Sequence, residues 1–251
     1  MIILCTNDDG HEARGLRVLA DVAQALGTVW TVAPDREQSA SSHALSLDRP
    51  LTVAAAGARS YHVDGTPSDC VLLAVEALLE RPPDIVLSGV NHGSNMGEDV
   101  LYSGTVAAAM EATLLGIPAV AVSYAGDDPE AIAAYGPWLE RFLRDLLVRD
   151  DFPRDALFNI NLPAVAPARL RGVRFTRLGR RVYTESVARD RDGSGREIYR
   201  IGGGRIHWSG HDDSDFRAVE AGYVSITPLH LDLTHVELLA TVSGWTLDRR
   251  S

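Results

Sequence analysis

Residues 1–10 read Met1-Ile2-Ile3-Leu4-Cys5-Thr6-Asn7-Asp8-Asp9-Gly10, and the architecture expected for the whole chain follows from them. The short apolar run stops abruptly at Asn-Asp-Asp-Gly, a pattern typical of a buried strand that continues directly into a turn. In open α/β sheets, ligand sites form beyond the carboxyl ends of the strands. This position makes Asp8 and Asp9 candidate functional residues, although Asn, Asp and Gly also favour ordinary turns and helix N-caps.

Composition indicates a large globular protein of a reducing compartment. The chain has 251 residues, of which 45% are hydrophobic, enough for one large α/β domain or a core with a smaller appendage. We expect Cys5 and Cys70 to be small core residues and not parts of a disulfide or a metal site. No apolar stretch has membrane-spanning length, and a chain that begins as a strand leaves no room for a signal peptide, so we expect a cytoplasmic protein with no membrane partner.

The charge of the chain limits its partners. The formal net charge is −10 and no basic tract is present, which argues against nucleic acid as a partner. An acidic protein can bind a small anion only if a metal ion, helix N-termini or a few arginines create local positive potential. Every basic residue is Arg, and the absence of Lys excludes P-loop and Schiff-base lysines.

Alternating strand and helix signals predict an α/β fold. Apolar residues recur at helical spacing from Leu16 to Leu26, and a second strand follows at 29–33, which completes a βαβ unit. Further helices are predicted to begin at Thr66, at Ser103 and near Asp128. Further strands are predicted at 85–89, 119–123, 159–163 and 222–228, with short side strands between 51 and 63. We expect a Rossmann-like, mainly parallel sheet with helices on both faces.

The character of the sequence changes in its last third. We predict a catalytic core at 1–165 and a C-terminal part at 166–251 that carries a projecting β-hairpin at about 180–204, a strand returning to the core and an oligomerisation tail. The hairpin is too polar to form a core of its own, so we expect it to pack on another subunit of a homodimer or homotetramer. A surface hairpin without a partner stays open as the alternative, and the segment 229–247 has no clear assignment.

Four polar loops are expected to meet at one edge of the sheet, at residues 7–10, 36–43, 91–95 and 103–105. Their side chains are mostly carboxylates, hydroxyls and amides, which select Mg²⁺, Mn²⁺ or Ca²⁺ over zinc or copper. Asp8 and Asp9 would supply charge to a cation, and neutral oxygens such as those of Ser39 and Asn91 would complete its shell.

The segment Ser103-Gly104-Thr105 offers a complementary anion site. Glycine lets the backbone come close to a ligand, and unpaired N–H groups at a helix start favour an anion by about 0.3–1 kcal/mol. A phosphate fits there, while the alternative is an ordinary Ser/Thr helix cap. His43 and His92 lie in site loops, where each is either a proton donor to the leaving group or a structural histidine.

A metal on two carboxylates facing an anion site is suited to phosphoryl transfer to water. One of Asp8 and Asp9 would mainly coordinate the cation, while the other would also position or deprotonate the attacking water. The residues alone do not decide which aspartate has which role.

These motifs closely resemble those of the SurE family, the survival-protein 5′-nucleotidases, in order from residue 1 to about 230. The residues that carry the resemblance are Asn7-Asp8-Asp9-Gly10 with Gly15-Leu16, Ala33-Pro34 with Gln38-Ser39-Ala40 and Ser42, Gly65-Thr66-Pro67 with Asp69-Cys70-Val71, Ser88-Gly89-Val90-Asn91-His92-Gly93-Ser94-Asn95, Tyr102-Ser103-Gly104-Thr105-Val106-Ala107-Ala108-Ala109, Asp215-Phe216, and Gly222-Tyr223-Val224-Ser225-Ile226-Thr227-Pro228-Leu229.

The resemblance implies a Rossmann-like fold, one divalent metal ion (Mg²⁺ or Mn²⁺) per subunit, and hydrolysis of nucleoside 5′-monophosphates, sometimes also of 3′-monophosphates and short polyphosphate. It also implies dimers or tetramers built partly through the hairpin arm and an exchanged C-terminal segment. The family pattern weakens after Leu233. Carried over by position, the resemblance places the metal on Asp8, Asp9, Ser39 and Asn91, and the phosphate near Asn95, Ser103, Gly104 and Thr105.

Other classes of α/β protein fit the sequence less well. A phospho-acceptor signalling domain needs an Asp at the end of a middle strand and a later Lys, but here the strand at 85–87 ends in Ser88-Gly89. A haloacid-type phosphatase needs Asp-x-Asp after the first strand and a lysine. A dinucleotide-binding module needs Gly-x-Gly-x-x-Gly at that turn. A non-catalytic nucleotide-binding protein stays open as the alternative.

Overall fold

The first strand lies near the centre of a nine-stranded sheet in this computed structural model, which describes residues 1–149, 152–184, 187–202 and 204–245. The sheet order is β3-β4-β2-β1-β5-β6-β7-β13-β8, and all neighbours from β4 to β7 are parallel. This arrangement confirms the predicted mainly parallel sheet. In chain order the strands of this sheet are β1 (Ile2–Thr6), β2 (Thr28–Pro34), β3 (Val53–Gly57), β4 (Ser60–Val63), β5 (Ile85–His92), β6 (Ala119–Tyr124), β7 (Leu157–Leu162), β8 (Val173–Phe175) and β13 (Val224–Pro228).

Helices cover both faces of the sheet, as predicted. The α-helices in the described ranges are α1 (Arg14–Gln24), α2 (Pro67–Leu73), α3 (Gly104–Leu114), α4 (Gly136–Leu147), α5 (Asp215–Glu220) and α6 (Val236–Val242), of which α6 buries no residue. Leu19 of α1 and Leu139 of α4 belong to one buried cluster, and Val71 of α2 and Val106 of α3 belong to a second. These four side chains are fully buried, and each such burial stabilises the fold by about 1.5–3 kcal/mol.

The helix starts follow the local sequence signals closely. Thr66 caps α2, Pro67 occupies its first turn, and Asp69 completes a capping box with Thr66. Caps of this kind contribute about 0.5–2 kcal/mol. The single helix predicted from Asp128 to about Val148 is instead a 3₁₀ segment, Pro129–Tyr135, followed by α4. Pro137 explains this difference, because proline has no N–H and clashes with the carbonyl four residues earlier in a continuous helix.

The projecting arm is a long antiparallel hairpin built from β9 (Arg180–Thr184), β10 (Val187–Arg191), β11 (Glu197–Ile201) and β12 (Arg205–Ser209). Strand β9 pairs with β12 near the core, and β10 pairs with β11 at the far end. Asp192 closes the tip, where its Oδ1 accepts hydrogen bonds from the backbone N–H groups of Ser194 and Arg196. The predicted hairpin is therefore present, and its pairing extends to Ser209.

Residues after the arm return to the main sheet. Strand β13 lies between β7 and β8, so this part of the chain shares the sheet of the core. Helix α6 lies in the segment that the sequence left unassigned, and residues 246–251 of the predicted oligomerisation tail lie outside the described residues. The predicted division at residue 165 stays a prediction.

The structure bears on the cysteines and on membrane-spanning helices. Cys5 and Cys70 are buried and unpaired, as core residues should be, and burial raises the pKa of the Cys5 thiol to about 12. Across the ranges that the structure describes, every helix is too short or too polar to cross a bilayer.

Candidate metal and phosphate site

The carboxyl ends of β1, β2 and β5 meet beside the start of α3 around a cavity of about 890 Å³. Ligand pockets usually have volumes of about 300–1,000 Å³. The predicted site residues that line this cavity are Asp8, Ser39, Asn91, Asn95 and Ser103. The other three, Asp9, Gly104 and Thr105, lie next to them without forming its lining.

Asp8 is held in one orientation by the start of α3. Its side chain is only 4% exposed, and the hydroxyl of Thr105 donates a hydrogen bond to its Oδ1. Burial raises the pKa of Asp8, whereas the Thr105 hydroxyl and the backbone N–H groups of Thr105 and Gly104 lower it. The helix N-terminus therefore stabilises the ionised form of a candidate metal ligand.

The backbone at the start of α3, where a phosphate is predicted to bind, lies against Asp8 and Ser41. A Cβ at Gly104 would lie 2.8 Å from the Asp8 Cβ and 2.8 Å from the Ser41 Oγ, so the glycine is packed against these side chains. Gly104 and Thr105 are both buried, and their backbone N–H groups lower the pKa of Asp8. Their direct contact with phosphate stays a prediction.

Ser103 combines the two roles that the sequence left open, helix capping and contact with the cavity. Its Oγ accepts a hydrogen bond of 3.0 Å from the Val106 N–H, which is an ordinary N-cap. The same side chain lines the cavity. Because a hydroxyl that accepts one hydrogen bond retains its own O–H donor, Ser103 can cap α3 and bind an anion together.

Asp9 lies beside the backbone of β5. Its Oδ2 accepts a hydrogen bond of 3.1 Å from the His92 N–H. Burial, followed by the nearby Asp8 carboxylate, raises the pKa of Asp9 to about 6. Two neighbouring acidic groups with little water around them repel each other when both are ionised, and a bound cation would relieve that repulsion.

The neutral oxygens next to this pair are oriented by their own hydrogen bonds. The Asn91 side-chain nitrogen donates to Gly93 O at 2.8 Å, which leaves the amide oxygen, 3.4 Å from the Thr105 Oγ1, for a ligand. The Ser39 Oγ donates to Glu37 Oε1 at 2.7 Å, and its lone pairs remain available.

The donor set fits a hard divalent cation. It consists of two carboxylates, one amide oxygen and one hydroxyl, all of which are oxygen ligands suited to Mg²⁺ or Mn²⁺ with water completing the shell. Within the described ranges, no group of three or more His, Cys, Asp and Glu side chains could hold a metal ion.

The two candidate histidines have different surroundings. The His43 Nε2 lies 2.8 Å from an oxygen of the buried Glu111, and His43 is not part of the cavity lining. This contact favours the structural role for His43. His92 does line the cavity, and its Nε2 lies 3.0 Å from the Asp127 carbonyl oxygen.

Sequence reasoning missed the amide network that holds Asn95. The Asn161 Oδ1 accepts a hydrogen bond of 2.9 Å from the Asn95 N–H, and the side-chain nitrogens of Asn159 and Asn161 donate to the Asn95 carbonyl at 2.8 and 2.9 Å. The Asn95 side-chain nitrogen donates to Ser123 Oγ at 2.8 Å. The available signal was two amides inside the apolar strand β7, because buried amides need hydrogen-bond partners.

A family model described as "Survival protein SurE" matches residues 3–185 of the chain. This chain belongs to the SurE family. A curated relative from Gemmatimonas aurantiaca, named "5′-nucleotidase SurE", is 57% identical over 248 residues, covering 98% of each chain. A relative of the same name from Nitrosococcus oceani is 46% identical over 245 residues, covering 98% of this chain and 97% of the relative.

The solved structures give the same family relationship. The crystal structure titled as the SurE protein from Aquifex aeolicus superposes on this chain with a TM-score of 0.84 at 37% identity, covering 97% of this chain and 98% of that chain. The predicted resemblance to the SurE family and the predicted fold class are therefore confirmed.

The arm of this SurE-family chain also takes part in the site, which the sequence did not indicate. Five arm residues line the same cavity: Arg180, Arg181, Val182, Ile201 and Gly202. The Arg181 guanidinium forms an ion pair with Asp99, and the two side chains are only 16% and 11% exposed. Sequence reasoning assigned the arm to subunit contacts, because a contact between residues 99 and 181 leaves no local pattern.

Proposed function

We propose that this chain is a metal-dependent phosphomonoesterase that hydrolyses nucleoside 5′-monophosphates to nucleoside and phosphate. The observation that carries the proposal is the pair Asp8 and Asp9 at the end of β1, next to the amide of Asn91 and beside a ligand-sized cavity. The 5′-nucleotidase names of relatives at 46–57% identity support the same reaction. Activity on 3′-monophosphates and short polyphosphate is part of this proposal.

One divalent ion per subunit, Mg²⁺ or Mn²⁺, would be held by Asp8, Asp9, Ser39 and Asn91. When bound, such an ion polarises the phosphoryl group and lowers the pKa of a water molecule. The residues of the chain orient the metal ligands and accept the proton of the attacking water. Thr105 and the start of α3 orient Asp8 and partly offset the rise in its pKa that burial causes, and one aspartate of the pair takes the proton of the attacking water.

Phosphate binding is assigned in this proposal to Asn95 and Ser103, which line the cavity, and to Gly104 and Thr105 beside them. The network of Asn159, Asn161 and Ser123 fixes Asn95 before the substrate arrives, so the donor does not reorganise during the reaction. His92 lines the same cavity, where it is either the proton donor to the leaving oxygen or a structural histidine held by the Asp127 carbonyl oxygen.

Assembly and location complete the proposal. We propose a homodimer or homotetramer of a cytoplasmic protein, with the arm as one contact between subunits. Exposed apolar residues at the far end of the arm, Val187 and Tyr199, and on α6, Val236 and Leu239, support a protein contact there.

The test is phosphate release from a panel of nucleoside monophosphates with Mg²⁺, Mn²⁺ or EDTA, comparing the parent with Asp9→Asn. We expect metal-dependent release by the parent, abolished by EDTA, and a rate at least about 100-fold lower in the variant. Nucleotide binding without phosphate release would support the alternative, a non-catalytic nucleotide-binding protein. Equal turnover by Asp9→Asn would contradict the role of the aspartate pair.

A further inference from the structure

Ser39, one of the proposed metal ligands, lies in a long irregular loop. Strand β2 ends at Pro34 and β3 begins at Val53, and the described residues between them form no helix or strand. Loops of this length commonly sample several conformations unless contacts hold them. Ser39 is exposed, so close packing does not fix its position. The contacts of neighbouring loop residues must therefore decide where its hydroxyl lies.

The backbone that follows this ligand has a sterically unfavourable conformation. Ala40 has a φ of 58° and Ser42 a φ of 52°, in the left-handed region that residues other than glycine rarely adopt. Such conformations persist only where the surrounding structure imposes them. The Gln38 N–H donates to Asp8 O at 2.7 Å, and the Ser42 N–H donates to Tyr102 O at 3.1 Å. These bonds hold the loop against the site in a conformation that its own residues disfavour.

A buried carboxylate on α3 anchors the next residue of the loop. The Glu111 side chain is only 9% exposed, and its Oε2 lies 2.8 Å from the His43 Nε2. An ionised carboxylate only accepts hydrogen bonds, so the imidazole donates its Nε2–H. In the part of the chain that the structure describes, His43 is the hydrogen-bond partner of this carboxylate. Because a buried carboxylate without a partner is strongly destabilising, the two side chains resist separation.

One helix therefore supports both sides of the proposed cation site. At the start of α3, the Thr105 hydroxyl donates to Asp8. Further along the same helix, Glu111 holds His43 in the loop of Ser39. His43 does not line the cavity, so it is not placed to act on a substrate directly. The geometry leaves a role in positioning the loop.

We propose that Glu111 and His43 are positioning residues that hold Ser39 in the geometry required by the divalent ion. This inference rests on the proposed function and deepens it. Neither residue coordinates the ion. Their contact orders the loop before the ion arrives, so that metal binding does not have to supply the free energy for ordering it. Without the contact, the loop can leave its strained conformation, and metal affinity falls.

The first experiment measures Mn²⁺ binding to the metal-free protein by titration calorimetry, without substrate. We expect Glu111→Met and His43→Ala each to weaken Mn²⁺ binding by about 3- to 30-fold. Glu111→Gln keeps a hydrogen-bond acceptor and His43→Gln keeps a donor, so both should bind Mn²⁺ as the parent does. Glu140→Met is the matched control, because Glu140 forms an exposed ion pair with Arg144 on α4 and should leave Mn²⁺ affinity unchanged.

A double-mutant cycle separates the contact from a general loss of structure. Variants that act through one contact should not add, so the double variant should bind Mn²⁺ within about 2-fold of either single variant. Additive losses would overturn the proposal. Glu111→Met replaces a buried carboxylate by an apolar group of similar volume, so its Tm without metal should stay close to that of the parent. If Glu111→Met does not fold, His43→Ala at the partly exposed partner gives the same test.

The strained backbone offers a rescue that a merely structural role would not predict. Glycine adopts positive φ without steric strain, so Ala40→Gly favours the same loop conformation in the absence of the contact. In the His43→Ala background, we expect Ala40→Gly to recover Mn²⁺ affinity by about 2- to 5-fold. In the parent background, the gain should be smaller. Equal gains in both backgrounds would overturn the link between the contact and the loop.

The outcomes separate this inference from the proposed function. A parent protein that binds Mn²⁺ and releases phosphate from AMP, while Glu111→Met and His43→Ala keep the parent affinity, overturns the positioning role alone. A parent protein that binds no Mn²⁺ and releases no phosphate from AMP overturns the proposed function and this inference with it.

Discussion

Asp9→Asn should make the metal-free protein more stable while removing its function. Burial and the neighbouring Asp8 raise the pKa of Asp9 from 3.8 to about 6. A shift of this size corresponds to an upper bound of about 3 kcal/mol. Because Asp9 is partly exposed, solvent screening reduces the expected gain in the free energy of unfolding to about 1–2 kcal/mol near neutral pH.

The pH dependence follows from the direction of this shift. The folded state binds more protons than the unfolded state between pH about 4 and about 6, so the metal-free parent loses stability as pH rises through this window. Asp9→Asn has no carboxylate at this position, so it should not lose stability in this pH window. Thermal unfolding in EDTA from pH about 4 to about 8 should show a gain in Tm of about 2–8 °C for the variant near neutral pH, which disappears below pH about 4.

The same unfolding assay with added Mn²⁺ completes this test. The parent should gain Tm with metal, and Asp9→Asn should gain much less. Asp21→Asn is the matched control, because Asp21 is exposed on α1 and its substitution should change stability by less than about 0.5 kcal/mol. The reasoning is refuted if metal-free Asp9→Asn is less stable than the parent near neutral pH, or if it keeps the full metal-induced gain.

Three further predictions concern residues that support the site. Thr105→Val removes the hydroxyl donor to Asp8, so metal affinity measured by titration calorimetry should fall about 10- to 100-fold. Asn161→Ala removes two of the hydrogen bonds that hold Asn95, so kcat/KM for AMP should fall at least about 10-fold while the metal-induced gain in Tm is retained. Arg181→Met leaves a largely buried carboxylate without its ion pair, so the free energy of unfolding measured in urea should fall by about 3–5 kcal/mol.

Two of these three variants, Thr105→Val and Arg181→Met, have matched controls. Thr113→Val removes a hydroxyl of α3 that bonds only within the helix, to Ala109 O, and should leave metal affinity unchanged. Arg196→Met breaks an exposed ion pair with Asp192 at the arm tip and should cost less than about 1 kcal/mol. Each of the three contacts would be contradicted by one result. These results are a parent-like metal affinity in Thr105→Val, a parent-like kcat/KM in Asn161→Ala, and an equal loss in the free energy of unfolding for the two arginine variants.

Much of the fold could be predicted because its signals are local. An apolar run that ends at Asn-Asp-Asp-Gly encodes both a buried strand and its turn, and Thr66-Pro67 encodes a helix start. The meeting of Asp8 and Asn91 followed from one rule, since the carboxyl ends of adjacent parallel strands lie at the same edge.

The features that were missed depend on the relative placement of elements. The packing of α3 against the turn after β1 decides whether its first N–H groups face a ligand or Asp8. Gly104 permits a close contact there, and that contact has no signal in the sequence. The ion pair of Arg181 with Asp99 and the bond between Asn161 and Asn95 also join distant parts of the chain. Such contacts can be inferred only once the sheet order is known.

The use of the α3 N-terminus by Asp8 has a consequence for product release. In a site where a helix start grips the phosphate directly, inorganic phosphate would compete with the next substrate molecule. Here those N–H groups lower the pKa of Asp8, so part of their positive potential acts on a side chain of the protein. A departing phosphate would therefore meet a helix start that already acts on a carboxylate, and its retention after hydrolysis should depend more on the divalent ion than on the N-terminus of α3.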